Sequence, residues 1–330
     1  MKLIHFKHWV PNFGDDLNLD LWPALAPALF ADQHENRGFV GIGTIIGMET
    51  GPISRLDVFS SGAGYINVDC WADKQVKVHC VRGPITARLL GVGPELALTD
   101  GAILTPLASA FPKKGTGGGG TVVVPHFETI AYQGWEDACA LAGFRLIDPR
   151  GAPRDVIRAL AQADLVLTES LHGAVIADVY GIPWVAFGTS RNLSTSKWVD
   201  WLATLSLEFR ATLVPPPNAG QLLRYGKRPE PFGTTLTFTL DQAVAEFAGR
   251  IDHAERKGYG PPSGIRGGIK RVFAASETLQ RLLGYTPERT AEALTALAAK
   301  PASLSAAQRR EELRGRMMEL LQKLERDAAK

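Results

Sequence analysis

Between two strongly apolar segments lies the turn Thr168-Glu169-Ser170-Leu171-His172-Gly173, which brings a carboxylate, a hydroxyl and an imidazole together within four residues. Polar groups set this closely between apolar runs cost free energy to bury unless a ligand meets them. An imidazole serves as acid or base with little tuning, its unperturbed pKa being about 6.5. A histidine beside a helix start is also commonly a cap or a satisfied polar contact, and the turn alone leaves both readings open.

The flanking pattern says what positions this turn. Arg154 to Ala163 carries Val156, Ile157 and Leu160 at helical spacing, and Leu165-Val166-Leu167 is an apolar run of buried-strand type. Ala174 to Tyr180 reads as a second helix, Gly181 stands where a C-cap glycine belongs, and Pro183 separates it from the strand Trp184-Val185-Ala186-Phe187. In such a unit the loop leaving the first strand lies at the carboxyl edge of a parallel sheet. The following helix there offers free N–H groups to an anion. His172 is placed at that spot.

Other candidates fall at similar positions. After a strand at Leu3 to Phe6 comes Asn12-Phe13-Gly14-Asp15-Asp16, leading into a helix near Asn18 to Leu29. Asn and Asp favour helix starts, so this can be a cap, or Asp15 or Asp16 can accept a proton from a hydroxyl. Val76 to Val81 alternates and breaks at Arg82-Gly83-Pro84, which sets Arg82 beside the start of a helix from Ile85 to Leu90 ended by Gly91. A guanidinium suits carboxylate or phosphate, and a surface salt bridge is the plain alternative. Thr121 to Val124 reads as a strand ending at Pro125-His126, so His126 either shares the sheet edge with His172 or lies in solvent. Phe39 to Ile46 reads as a glycine-bearing strand and turn that lacks the third glycine and downstream acid of a dinucleotide site. Val58 to Tyr65 reads as a strand running into a small-residue loop.

Thr168-Glu169-Ser170-Leu171-His172-Gly173-Ala174, continuing through Gly181-Ile182-Pro183, resembles the signature turn of the polysaccharide pyruvyl transferase family, whose members transfer the enolpyruvyl unit of phosphoenolpyruvate to sugar hydroxyls. Three further segments are similar and come in family order: Asn12 to Asn18, Val81 to Thr86 followed by Asp100-Gly101-Ala102, and Val124-Pro125-His126. Many members have arginine directly before the Leu-His pair, where this chain has Ser170. The Glu-Ser-Leu-His version resembles the branch that makes pyruvate ketals on exopolysaccharides such as succinoglycan and xanthan. The resemblance counts Asn12, Ser170 and Leu171 among the substrate-binding residues. With arginine absent, positive charge has to come from elsewhere, and Arg191 and Lys197, in the loop before the Trp198-Val199-Asp200-Trp201-Leu202 helix, are the candidates by anion chemistry.

Composition sets the outer limits. The chain has 330 residues, 45% hydrophobic and 21% charged, with a net charge of +2, which fits a folded protein of two domains, or of one large α/β domain with additions, and gives no case for nucleic acid. Cys70, Cys80 and Cys139 form no CxxC pair, so neither a disulfide framework nor a zinc site is suggested. No signal peptide or membrane-length apolar run is present, which points to the cytoplasm. Lys113 to Gly120 reads as a flexible basic linker, and 214–235 as a surface connection followed by a helix from Asp241 to Gly249. From Arg250 to Lys330 there are 16 Lys and Arg against 10 Asp and Glu. Leu279, Leu282 and Leu283, and Met317, Leu320, Leu321 and Leu324, recur there at helical spacing. These tail helices bury their apolar faces on the parent protein or a second subunit, or rest on an anionic membrane face.

The expectation is therefore an α/β chain of two doubly wound Rossmann-like domains in a GT-B-like arrangement: 1–112 on the acceptor side, a linker at 113–120, 121–249 on the phosphoenolpyruvate side, and a basic amphipathic extension at 250–330. The expected reaction makes a pyruvate ketal on a lipid-linked oligosaccharide, with phosphoenolpyruvate as donor and neither cofactor nor metal. In it His172 donates a proton to or orients the donor, Arg82 binds its anion, and Glu169, Asp15 or Asp16 takes the hydroxyl proton. The expected place is the cytoplasm or its membrane face, with a homo-oligomer as a further partner. A GT-B-like glycosyltransferase using a nucleotide sugar, or an inactive sugar-binding relative, is the alternative; stabilisation by UDP but not phosphoenolpyruvate would mark the former.

Overall fold

Four short parallel strands, β1 (Lys2–Ile4), β2 (Arg37–Val40), β3 (Arg55–Phe59) and β4 (Gln75–Cys80), lie side by side in chain order and make the first sheet. The computed structural model describes residues 1–7, 9–31, 36–64, 68–257 and 283–328, with backbone alone at 250–257. Tyr65, Leu279 and Leu282 lie outside the described residues. The order never reverses, so this first lobe is not doubly wound, contrary to expectation. Only β1 to β2 is joined through helices, α1 (Phe13–Leu25) and α2 (Ala28–Ala31). In the described part of the other connections, turns and a 3-10 turn at Asp69–Trp71 replace a helix on the second face. The strand and turn expected over Phe39 to Ile46 change over at Val40, where Asn18 clamps the Ile42 backbone at 2.8 and 2.9 Å and Gly43 turns with φ +123°. A charged row crosses the sheet, Arg37 and His79 each 2.7 Å from the buried carboxylate of Asp57.

The second sheet runs β10-β9-β8-β7-β5-β6, from β5 (Thr121–Val124), β6 (Arg145–Leu146), β7 (Leu165–Thr168), β8 (Trp184–Gly188), β9 (Phe209–Leu213) and β10 (Thr235–Phe238), with only the edge strand β10 antiparallel. After β5 the chain places β6 on one side and then crosses to β7 on the other. That reversal is a topological switch point, where loops leaving neighbouring strands diverge and open a crevice. The residues after β5 and β7 are His126 and the Glu169 to His172 turn.

The second lobe carries α4 (Trp135–Ala142), α5 (Pro153–Ala161), α6 (Leu171–Val179), α7 (Thr195–Leu202), α8 (Gly220–Tyr225) and α9 (Leu240–Lys257). Trp198 and Trp201 of α7 pack against Trp184 with ring centroids 5.9 and 5.7 Å away, so these tryptophans belong to the core. The stretch 214–235 is not merely a surface connection, since it contains α8 and the fully buried Gln221.

The glycine-rich segment at 113–120 is held by hydrogen bonds over 116–120. Thr116 and Gly119 donate to the carbonyls of Ala161 and Gln162, and the amides of Gly118 and Gly120 converge on the Asp164 carboxylate at 2.6 and 2.9 Å. Its glycines serve these close approaches: a side chain at Gly115 would meet the Tyr180 carbonyl.

In the tail, α10 (Pro287–Ala298) packs on α4, and α11 (Ala307–Ala328) returns to the first lobe. Leu313, Met317, Leu321 and Leu324 of α11 recur every three or four residues and are buried in a core shared by both lobes. Arg314 donates to the carbonyl of Ile103 at 3.0 Å and to that of Val179 at 3.4 Å, so one side chain joins the lobes. The apolar faces of these two helices are thus covered by the chain's own core. Among the described residues no helix is long and apolar enough to cross a membrane.

Candidate functional site

At the carboxyl end of β7 the Thr168 hydroxyl accepts from the Ser170 amide at 3.0 Å and donates to the Ser170 carbonyl, which bends the chain sharply. Ser170 then caps α6, its Oγ accepting from the Gly173 amide at 3.3 Å. Where the family resemblance sets an arginine, this chain therefore has a capping hydroxyl. Leu171 and His172 occupy the first turn, where backbone N–H groups are free of intrahelical partners.

His172 reaches across to the first lobe. Its Nε2 lies 3.8 Å from Oδ2 of Asp100, its ring meets Phe13 edge to face, and its Nδ1 is 1.8 Å from where a side chain on Gly14 would begin. Only glycine at position 14 lets the imidazole occupy this slot. Asp100 spends its other oxygen capping the 3-10 turn at Gly101–Leu107 through the Ala102 amide. Burial works to raise the Asp100 carboxyl, but the neighbouring imidazole, the Ala102 amide and the Arg82 charge together hold it below the usual carboxylate value.

Asn12 caps α1, its side-chain oxygen accepting from Gly14 and its amide donating to Asp15 at 2.7 Å. The Asp16 carboxylate accepts from the Asn12 backbone at 3.2 Å, closing the cap from the other side. Asp16 is thus engaged at the helix start, whereas Asp15 faces the site. Burial raises the Asp15 pKa against the opposing pull of the His172 and Lys197 charges and the Asn12 hydrogen bond.

Lys197, in the first turn of α7, has its stem along the backbone of Gly64, where an added Cβ would stand 3.0 Å from Cε. Its charge acts on Asp15 in one lobe and on His126 in the other. Arg191 behaves differently: it is exposed and donates from Nε to the Lys227 carbonyl at 3.0 Å. Of the two cations considered, Lys197 is the one whose charge acts on Asp15.

Arg82 is placed where a direct anion contact is closed to it. It is 1% exposed, and its guanidinium donates to Asp200 at 3.2 Å, Thr44 at 3.1 Å and the Ala63 carbonyl at 2.9 Å. The same Asp200 carboxylate accepts from the amides of Ile85 and Thr86 and from the Thr86 hydroxyl, capping α3 (Pro84–Leu89) from the opposite lobe. Arg82 therefore bears on the site at one remove, through its charge on Asp100.

Glu169 is likewise committed. One oxygen accepts from the His126 amide and the Thr129 hydroxyl, the other from the Thr189 amide and hydroxyl. With four donors on a 3%-exposed carboxylate, it ties together the loops after β5, β7 and β8 and has no lone pair open for a hydroxyl proton. His126 lies at the same edge, its Nδ1 3.1 Å from the Asn192 amide and accepting from the Glu128 backbone. Burial and the Lys197 charge push its pKa well down, so it is neutral over the working range.

Sequence reasoning assigned no role to Asp100 or Asp200. For Asp100 a signal existed: an aspartate followed by Gly101-Ala102 after the apolar Leu98 has the form of a strand-end cap. Asp200 carried none, since it looks like any polar residue on an amphipathic helix. Among the described residues no cluster of His, Cys, Asp and Glu has the makeup of a metal site.

A polysaccharide pyruvyl transferase family model matches residues 59–191, which contain Asp100, His126 and His172. The succinoglycan biosynthesis protein ExoV of Rhizobium meliloti (strain 1021) is 33% identical over 289 residues, covering 84% of this chain and 88% of that protein. No solved structure matches the chain.

Proposed function

We propose, since the chain belongs to the polysaccharide pyruvyl transferase family, that it transfers the pyruvyl unit of phosphoenolpyruvate to a sugar of a lipid-linked exopolysaccharide repeat and closes it into a pyruvate ketal. Its two α/β lobes, read as a GT-B-like pair, would hold donor and acceptor between them. The observation that carries this reading is the placement of His172: it projects from the second lobe towards Asp15 and Asp100 of the first, and the charge of Lys197 acts on the same Asp15.

Each group has a task in that chemistry. Lys197 and the first-turn amides of α6 hold the donor's phosphate and carboxylate, the part that Arg82 was expected to play. His172, 3.8 Å from the Asp100 carboxylate, gives a proton to the methylene carbon, which becomes the methyl group and leaves the adjoining carbon cationic. A sugar hydroxyl adds there and loses its proton to Asp15. Asp15 passes that proton to the phosphate, which leaves with the bridging oxygen, and a second hydroxyl of the same acceptor adds to the same carbon, giving its own proton to His172 and restoring the acid. The raised pKa of Asp15 makes it a better base than an ordinary carboxylate.

The test is phosphate release from phosphoenolpyruvate in the presence of a lipid-linked oligosaccharide, followed by mass spectrometry of the acceptor. The expected product is heavier by one pyruvate less one water. Thermal stabilisation by UDP without any by phosphoenolpyruvate would replace this reading with a nucleotide-sugar glycosyltransferase.

A further inference from the structure

A second group of polar side chains on the C-terminal lobe is used by nothing described above. Glu128, in the loop after β5, accepts from the Asn192 amide at 3.2 Å and lies 3.8 Å from the Arg224 guanidinium. Arg224 in turn stands over the Tyr225 ring, 5.2 Å from its centroid, and its charge also acts on the Tyr132 hydroxyl. This group is open to solvent, with the Glu128 and Arg224 side chains 24% and 59% exposed.

The group joins the site through Asn192, whose amide also reaches His126, and His126 feels the charge of Lys197. It is not an anion site, because Glu128 offsets Arg224. Nor is it a plain surface ion pair. Beside it on α8 both amide atoms of the fully buried Gln221 have no hydrogen-bond partner among the described residues, and the Tyr225 hydroxyl bears on Glu128. Orphaned polar atoms call for an explanation.

A carboxylate, a carboxamide and a guanidinium beside two phenol rings offer what a pyranose presents itself to: acceptors and donors for vicinal hydroxyls, and flat apolar faces for its C–H groups. We propose that Glu128, Asn192 and Arg224, walled by Tyr132 and Tyr225, form a subsite for a neutral pyranose of the acceptor glycan. The word acceptor rests on the pyruvyl-transfer reading; the saccharide subsite itself does not. The first lobe then supplies the base and the second lobe helps grip the sugar, so the acceptor is not confined to the 1–112 side.

The full-length protein is tested by saturation-transfer NMR with methyl β-D-glucopyranoside and methyl β-D-galactopyranoside, and separately by the thermal shift that phosphoenolpyruvate produces. Wild type should show transfer from at least one glycoside. The combined variant Glu128→Gln, Arg224→Gln should weaken it roughly tenfold, the loss of charged hydrogen bonds, with the phosphoenolpyruvate shift unchanged. Equal transfer in both proteins, or none from wild type, overturns the subsite. Glycoside transfer that depends on Glu128, with no phosphoenolpyruvate shift in either protein, removes the donor reading and leaves the subsite standing. Should the combined variant fail circular dichroism, Tyr225→Ala and Tyr132→Ala decide, and undiminished transfer in both again overturns it.

Discussion

His172 Nε2 and Asp100 Oδ2 stand 3.8 Å apart across the two lobes, and neither atom has a hydrogen-bond partner among the described residues. The pair is one small shift short of a charge-assisted hydrogen bond. Asp100→Asn should lower kcat about a hundredfold, because the imidazolium loses its counter-charge, and should leave the KM for phosphoenolpyruvate within a few-fold of wild type. His172→Ala should lose as much or more. Steady-state phosphate release checks both, and wild-type turnover in Asp100→Asn would remove the pairing from the mechanism.

Gly14→Ala is expected to separate folding from activity. A methyl group at this position would stand 1.8 Å from Nδ1 of His172, so the ring must leave its slot while α1 itself is favoured by alanine. Turnover should fall at least tenfold with the melting temperature little changed. An active Gly14→Ala enzyme would mean that the observed placement of His172 is not the working one.

Lys197→Met should raise the KM for phosphoenolpyruvate about ten- to a hundredfold, the usual worth of a charge-assisted contact to an anion, and Lys197→Arg should recover part of it. Arg191→Met should leave KM near wild type, since that side chain is turned to the Lys227 carbonyl. The opposite pattern would exchange their roles.

Asp15 makes a prediction about pH. As a base it must be ionised, and burial has raised its pKa above the ordinary 3.8, so kcat/KM should be lost as pH falls through a value higher than that of a free carboxylate. Asp15→Asn should flatten this acid limb along with its large loss of rate. A limb at the ordinary carboxylate position in wild type would assign it to another group.

Asp200→Asn should destabilise the protein by about 3–5 kcal/mol, because it leaves the buried Arg82 without its counter-charge and weakens the cap on α3. Denaturant unfolding measures it. The effect should also reach KM for phosphoenolpyruvate, as Asp200 and Lys197 stand three residues apart on α7 and the latch fixes that helix against the first lobe. A stability loss under 1 kcal/mol would contradict a buried latch.

The unit around His172 was legible because its signals are local. Apolar spacing gave the α5 and β7 segments, Gly181 with φ +72° ended α6 as its position implied, and Pro84 started α3. Local signals also misled. The glycine run at 113–120 has the composition of a free linker, and only the amide bonds to Ala161, Gln162 and Asp164 show it to be held over 116–120. Arg82 beside a helix start looked ready for an anion until Asp200, 118 residues away, was found to occupy it.

By itself the sequence determined the alternation of strands and helices, the turn that sets His172 at a sheet edge, and the helical nature of the tail. Each is fixed by backbone preference and apolar periodicity over a few residues. The tertiary structure decided what each charged group meets: Glu169, Asp16 and Arg82 bind donors or acceptors within the fold, while Asp15 and Asp100 lie near one imidazole and the Lys197 charge acts on Asp15. Such meetings join side chains across lobes that are distant in sequence, and no local pattern encodes them.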